Sequence, residues 1–352
     1  MKMKPIKLVA FLFLLTPFNA GAQHQDNEID YPKFDQYFHD SKFSGNVLVA
    51  VHGKPIFRKS YGYANLELNV SNTLETKFRI GSITKQFTAM AIMILQVQGK
   101  LSVRDEMGDH LSDIPEEWKG ITIHQLLTHT SGLMHSWALK GFRKTMMLHN
   151  SIQQTIDRFK GQPLVGKPGE KFAYSGVGYF VLSDIIQKVS GKSYEAFLKE
   201  EVFDKIGMKN TGCDNPLKLI QNKASGYITN SSGVSNAGYI YIPILTGGGN
   251  LYSTVDDLLK WDQSFYGNKL VSKETKKMIF MPELKNYGYG WIILETEKVY
   301  RMYHSGGVPG FGAFIDRYPN KGVVIIIMSN NIQATAKKRV SFPKLVLKEL
   351  AE

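Results

Sequence analysis

The sequence predicts an α/β chain of the α+β kind: an antiparallel sheet flanked by helices, with a helical lobe inserted between its strands. Three observations carry this reading. Alternating or continuous apolar runs bounded by turn residues cluster near both ends of the chain. The stretches with helical periodicity fill the middle. No internal repeat and no low-complexity linker divides the 352 residues. Together they imply one domain over residues 23–352, with its sheet drawn from 40–99 and 246–352 and its helical lobe from 100–245.

Near the start, residues 46–51 and 55–63 flank His52-Gly53-Lys54, which reads as a hairpin. Near the end, residues 289–294, 311–317 and 323–328 read as strands. Val323-Val324-Ile325-Ile326-Ile327-Met328 is apolar at every position, as a central strand covered on both faces would be. Between the strand regions, residues 83–98 form the clearest helix. Phe87, Met90, Ala91, Ile94 and Leu95 follow the i, i+3, i+4, i+7, i+8 rule. Ala89, Ile92, Met93 and Val97 make the opposite side apolar too, so the helix is expected to be buried, with Gly99 as its stop. Residues 179–189 end similarly at Gly191. Thr254 is a candidate N-cap with Asp257 three residues on, opening a helix over 256–265. Residues 337–350 read as a closing helix.

Residues 1–22 have the form of a secretory leader. Lys2, Lys4 and Lys7 precede an apolar run over 8–15, and Ala20-Gly21-Ala22 offers a small-residue cleavage site before Gln23. The run is too short to span a bilayer, and no later stretch is long and apolar enough. A periplasmic or secreted protein without a transmembrane anchor is the expectation. The +12 formal charge falls to +9 when the three leader lysines are removed. Such a charge permits electrostatic association with anionic envelope polymers, although a merely solvated basic surface with no specific partner is the simpler explanation. Nucleic-acid binding is not expected, because no dense basic run is interleaved with aromatics. A hydrophobic content of 43% and a charged content of 21% exclude disordered and fibrous classes. The single cysteine, Cys213, cannot form an internal disulfide and sits in a segment, 210–216, that reads as a turn.

The chemistry centres on Ser82-Ile83-Thr84-Lys85 at the head of the buried helix. Residues at i and i+3 share a helical face, so the two side chains can meet. A lysine in an apolar helix loses water, its pKa falls, and it becomes a usable base for a serine nucleophile. The competing reading is an N-cap serine with a lysine that reaches out to solvent; the spacing alone leaves both open. A second Ser-x-x-Lys at Ser341-Phe342-Pro343-Lys344 contains proline and reads as a helix cap. No Gly-x-Ser-x-Gly elbow and no His-Glu-x-x-His pair occurs. His124 and His129 are spaced poorly for a helical zinc pair and are expected to be ordinary polar residues. Gly247-Gly248-Gly249 lacks the lysine of a phosphate loop and reads as a tight turn.

The segment Phe78-Arg79-Ile80-Gly81-Ser82-Ile83-Thr84-Lys85-Gln86-Phe87-Thr88-Ala89 resembles the nucleophile segment of the β-lactamase-related serine hydrolases. That family includes class C β-lactamases, D-alanyl-D-alanine carboxypeptidases, D-aminopeptidases and esterases on a β-lactamase/transpeptidase-like fold. Four further stretches match in order: 126–133, Pro168 through Ser175, Leu251 through Trp261, and His304-Ser305-Gly306-Gly307. The resemblance covers the mature chain. It implies Ser82 as the acylated nucleophile, Lys85 as its base, and Tyr174 as the tyrosine that relays protons to the leaving group. It further implies His304-Ser305-Gly306 as the third motif, on a strand edge facing the serine with His304 a catalytic residue rather than a strand-end histidine bonded to backbone, and the amides of Ser82 and Gly307 as the oxyanion hole beside Gly306. His129 and Ser131, in one of the matching stretches, are assigned structure only. No metal or organic cofactor is implied.

Tyr-x-Asn also occurs at Tyr63, Tyr266 and Tyr318, where the context of the family is lacking and turns are expected. The contextual match, Tyr174-Ser175-Gly176, departs from the family pattern: Gly176 stands where asparagine is usual. Glycine offers no side chain to the lysine or to a substrate amide. The leading expectation is an exported serine hydrolase acting on amide bonds of cell-wall-type peptides or D-amino-acid amides. Gly176 motivates a second, a carboxylesterase on small esters, and a third, a weak catalyst kept as a ligand-binding or penicillin-binding module. The partner in each case is a small molecule or peptide.

Overall fold

His52 and Gly53 both take positive φ, 49° and 79°. That is the backbone of a two-residue hairpin turn whose twist suits the strands it joins. It links β1 (Gly45–Val51) to β2 (Lys54–Tyr61). The computed structural model describes residues 31–39, 43–297 and 299–351; the leader expected over 1–22 lies outside the described residues. Four more strands come from the C-terminal part: β3 (Ile292–Glu295), β4 (Tyr300–Val308), β5 (Phe311–Tyr318) and β6 (Val323–Ser329). They assemble with the hairpin into one six-stranded antiparallel sheet of order β3-β4-β5-β6-β1-β2. The two ends of the sequence therefore meet where β1 pairs with β6, Val49 opposite Ile325.

The unbroken apolar run of β6 is explained by two cores, one on each face. Alternate residues of a strand point to opposite sides. Val324, Ile326 and Met328 enter the larger core with Leu48, Ala50 and Ile315. Val323, Ile325 and Ile327 enter a second core with Val47, Val49 and Phe314. That outer core is closed by α1 (Pro32–His39) and a long C-terminal helix through Phe34, Phe38, Phe342 and Val346.

On the inner face lie α2 (Thr84–Val97), α3 (Gly176–Ser190) and α4 (Val255–Ser264). The final helix, α5 (Ile332–Glu349), completes the outer layer. α4 packs on β6 and β1, and α2 packs on α3. Phe87 of α2 stacks on Trp261 of α4 with ring centroids 4.2 Å apart. Every residue of α2 from Thr84 to Leu95 is buried, as its all-round apolar sequence requires. Gly191 ends α3 in the left-handed region at φ 69°. Thr254 caps α4 by accepting from Asp257 N at 3.3 Å, while the Asp257 carboxylate accepts from Asn210 N at 2.7 Å. The short helices of the middle of the chain lie between α2 and α4 in sequence and pack around α3.

Three local expectations change. Ser341 is not a cap: it lies inside α5, where its hydroxyl meets that of Tyr37. The helix runs through Pro343, so proline did not mark its start. Tyr63–Asn65 is a short strand rather than a turn, and Gly212–Cys213 is a two-residue strand paired with Leu251–Ser253. Cys213 is buried, and burial pushes its thiol well up from the usual range, leaving an inert side chain.

Candidate active site

Ser82 stands on a single 3₁₀ turn, Gly81–Ile83, that feeds directly into α2. Its hydroxyl caps neither the turn nor the helix. The turn presses against β4. Gly81 has φ 50°, and a Cβ there would lie 2.5 Å from Gly307 N. A Cβ on Gly306 would lie 1.8 Å from the Ile80 carbonyl and 2.9 Å from Ser82 N. Only glycine permits this approach, which brings the amide of Ser82 beside the Gly306-Gly307 backbone.

Lys85 is 2% exposed and does not reach solvent. Its Nζ lies 3.2 Å from Ser82 Oγ and 2.8 Å from the Gly248 carbonyl. Its other neighbours are two ring faces, Tyr174 at 5.1 Å and Tyr179 at 5.3 Å. Desolvation lowers its pKa to about 7. No carboxylate of the described residues pairs with it to restore the charge. The N-cap reading of Ser82 with a solvent-seeking lysine is therefore excluded by geometry.

The Gly248 partner comes from the three-glycine segment. It is a tight turn, with Gly247 at φ 80° and the amides of Gly248 and Gly249 donating to Leu245 O at 2.9 and 2.8 Å. A Cβ on Gly247 would lie 2.3 Å from the Tyr179 carbonyl, and one on Gly248 2.9 Å from the Phe180 ring. The glycines thus let the turn sink against α3, where Gly247 O accepts from Thr88 Oγ1 at 2.6 Å and Gly248 O faces the lysine. The glycine run was visible in sequence; its carbonyl role was not, because a carbonyl leaves no residue-type signature.

Tyr174 immediately precedes Ser175, the cap of α3. Ser175 Oγ accepts from Gly178 N at 3.1 Å and donates to Met134 O at 2.9 Å. The buried ring of His129 holds the same segment. Its Nδ1 accepts from Ser175 N at 3.1 Å, its carbonyl accepts from Ala173 N at 2.8 Å, and its ring lies 4.2 Å from that of Tyr174. Burial and the Lys85 charge hold His129 well below the usual histidine range, so it is a neutral brace. Tyr174 lines the same cavity as Ser82, and burial raises its pKa, outweighing the opposing influence of the Ser82 hydroxyl and keeping it a phenol near neutrality.

His304 is buried and does not line the cavity at Ser82. Its Nδ1 donates to Ser305 O at 2.7 Å, which leaves Nε2 to accept from the Tyr287 hydroxyl at 3.0 Å. Desolvation lowers its pKa to about 3, so the ring is neutral. It touches the site through rings: Tyr174 lies 6.4 Å away and Tyr287 packs against both.

The cavity itself is small, about 30 Å³, and is lined by Ser82, Lys85, Tyr174, Gly176, Gly248 and Gly307. His135, Ser136 and Trp137 line it as well, beside the apolar Phe180, Leu245 and Val308. Sequence reasoning missed His135, Ser136 and Trp137; their segment carries no motif and is held at the site by tertiary contacts such as Met134 O with Ser175 Oγ. The His135 ring stacks on Tyr174 at 5.5 Å and 25°. Among the described residues no cluster of three His, Cys, Asp or Glu side chains is arranged to hold a metal ion. His124 instead bonds the Tyr289 hydroxyl at 2.8 Å.

The sequence pattern of the Beta-lactamase family matches residues 34–341. Penicillin-binding protein 4* of Bacillus subtilis is 32% identical over 319 residues, covering 84% of this chain and 69% of that protein. The teichoic acid D-alanine hydrolase of Staphylococcus aureus is 26% identical, covering 90% of this chain and 77% of its own. The crystal structure of a penicillin-binding protein from Bacillus halodurans superposes with a TM-score of 0.81 at 26% identity, covering 88% of this chain and 99% of that one. The fold is thus met in proteins related along nearly the whole described length, and this chain belongs to the beta-lactamase family as a serine hydrolase.

Proposed function

We propose that this chain is an exported hydrolase that forms an acyl-enzyme on Ser82 and acts on small D-aminoacyl amides or the amide bonds of cell-wall-type peptides. The observation that carries the reading is the buried amine of Lys85, 3.2 Å from Ser82 Oγ and with its pKa lowered to about 7. In this mechanism neutral Lys85 takes the proton as Ser82 Oγ attacks the substrate carbonyl. The amides of Ser82 and Gly307 stabilise the oxyanion that forms. Tyr174, kept protonated by burial, donates to the leaving nitrogen or oxygen and recovers a proton from Lys85. Water then attacks the acyl-enzyme by the same route and releases the acid. His304 acts as a neutral positioning group behind Tyr174. The small cavity suits a short acyl group, and the D-alanine named in the staphylococcal relative is of that size. Residues 1–22 support export, and the basic mature chain supports electrostatic association with an anionic envelope.

A second reading, a carboxylesterase on small esters, is favoured by one feature. Of the side chains lining the cavity, Lys85 alone carries a formal charge, and its amine is already engaged. A substrate with a free carboxylate beside the scissile bond gains no second cation there. Mass spectrometry after fluorophosphonate treatment tests the nucleophile: a single adduct on the Ser82 peptide is expected, and an adduct elsewhere refutes it. Turnover of p-nitrophenyl esters, nitrocefin and a D-Ala-D-Ala peptide, against a Ser82→Ala control, then separates the readings. Esterase activity alone would overturn the amide assignment, and binding without any turnover would favour a ligand-binding module.

A further inference from the structure

Gly176 is not an empty position. A Cβ built there would lie 2.9 Å from the hydroxyl oxygen of Ser136, so the space beside the α3 cap belongs to Ser136. Ser136 is 2% exposed and lines the same cavity as Ser82 and Lys85. Among the described residues no hydrogen bond reaches its hydroxyl. The oxygen is not among the buried polar atoms cut off from any partner; it opens onto the cavity, so its hydrogen bonds are completed by what the cavity holds. The segment that carries it is fixed rather than free to turn away. Met134 O accepts from Ser175 Oγ at 2.9 Å, His135 Nδ1 accepts from Trp137 N at 3.1 Å, and the His135 ring stacks on Tyr174.

We propose that Ser136 is a substrate-positioning residue, its hydroxyl accepting the N–H of a nitrogen substituent on the carbon next to the scissile carbonyl. The inference rests on the serine acyl-enzyme reading above. The acyl part is what stays bonded to Ser82, and a cavity of about 30 Å³ seats only its first atoms. A polar wall at that depth therefore meets a group close to the carbonyl. Aminoacyl substrates carry such a group and simple fatty esters do not. Ser136 would thus supply, from a neighbouring segment, the polar contact for which residue 176 has no side chain.

The test is a matched pair of esters with the same leaving group: N-acetyl-D-alanine p-nitrophenyl ester and p-nitrophenyl propionate. They differ only in the acylamino substituent. Ser136→Ala is expected to lower the ratio of kcat/KM between them, aminoacyl over propionyl, by about 5–10-fold, the scale of one neutral hydrogen bond. Gly176→Ala places its Cβ against the Ser136 oxygen and is expected to lower the same ratio. In a Ser136→Gly background it adds no further loss, because the two changes act on one contact. Equal losses on both esters, or an unmoved ratio in both variants, overturn the proposal while leaving Ser82 chemistry intact. Turnover that survives Ser82→Ala overturns the underlying serine reading and the proposal with it.

Discussion

Lys85 Nζ lies 2.8 Å from the carbonyl oxygen of Gly248. A carbonyl is an acceptor at every pH, so it holds one N–H of the amine in place whether or not the amine is charged. The remaining valence faces Ser82 Oγ at 3.2 Å. With burial bringing the amine to a pKa of about 7, its lone pair becomes available for the serine proton near neutrality. Acylation by a neutral ester is therefore expected to rise with pH through a single ionisation near 7 and then to level off. The phenol of Tyr174, raised by burial, does not ionise in that range. A kcat/KM profile from pH 5.5 to 9 checks this; a profile that falls with pH, or is flat across 7, contradicts Lys85 as the base.

The same amine weakens the fold. Its folded pKa lies below its unfolded value of 10.5, so between about 7 and 10.5 the unfolded chain holds a proton that the folded chain has released. Stability from this group accordingly rises with pH across that window, and the full cost is felt below it. Lys85→Met is expected to abolish acylation yet raise unfolding stability at pH 6 by about 2 kcal/mol, with the advantage shrinking towards pH 10. Urea titrations of both proteins at the two pH values provide the measurement. A variant less stable than the parent at pH 6 would contradict a buried, unpaired amine.

Tyr174 is placed by backbone contacts that its own hydroxyl does not make, through Ser175 N and Ala173 N to His129. Removing the hydroxyl should therefore leave the segment standing. Tyr174→Phe is expected to lower kcat by about 10²–10⁴-fold, the range for a proton-transfer group, with little change in Tm. The rising limb near pH 7 should persist, because Lys85 is untouched. A large drop in Tm would instead mark Tyr174 as structural.

Gly306 tests the oxyanion geometry from the backbone side. A Cβ at that position meets the Ile80 carbonyl at 1.8 Å, and backbone has no rotamer by which to give way. Gly306→Ala must push β4 from the serine turn and spoil the spacing between the Ser82 and Gly307 amides. A loss in kcat of about 10²-fold or more is expected, comparable to removing one oxyanion donor. Retained acylation in this variant would place the oxyanion donors elsewhere.

These expectations divide by how their residues announce themselves. Ser82 and Lys85 are legible in sequence because a helix period brings i and i+3 together and because apolar neighbours fix their burial. β6 is legible because both of its faces are apolar, a pattern with few other uses. Tyr174 is legible only through the ordered landmarks around it; alone it is one of several tyrosines before a turn. His135 and Ser136 are not legible, since a loop is placed by tertiary contacts, here Ser175 Oγ on Met134 O, that no local pattern encodes. Ser341 misled because proline usually opens a helix, whereas Pro343 is carried, buried, inside α5. His304 drew notice for its motif, yet its ring serves Tyr287 and the Ser305 carbonyl behind the cavity.

The inner sheet face carries one further liability. Arg317 of β5 is 2% exposed and is held by the Asp262 carboxylate of α4, itself 1% exposed. Phe265 at 4.8 Å and Trp291 at 5.6 Å flank the guanidinium, so water cannot replace a lost partner. This pair fixes α4 on the sheet, and α4 in turn carries Trp261, against which Phe87 of the nucleophile helix stacks. Asp262→Ala strands a buried cation and is expected to cost about 3–5 kcal/mol. Removing both charges together, Asp262→Leu with Arg317→Met, leaves nothing unpaired and is expected to cost markedly less than the single change. Thermal unfolding of the parent and both variants at pH 7 decides it. A double variant as unstable as Asp262→Ala would mean that packing volume, and not the stranded charge, sets the penalty at this joint.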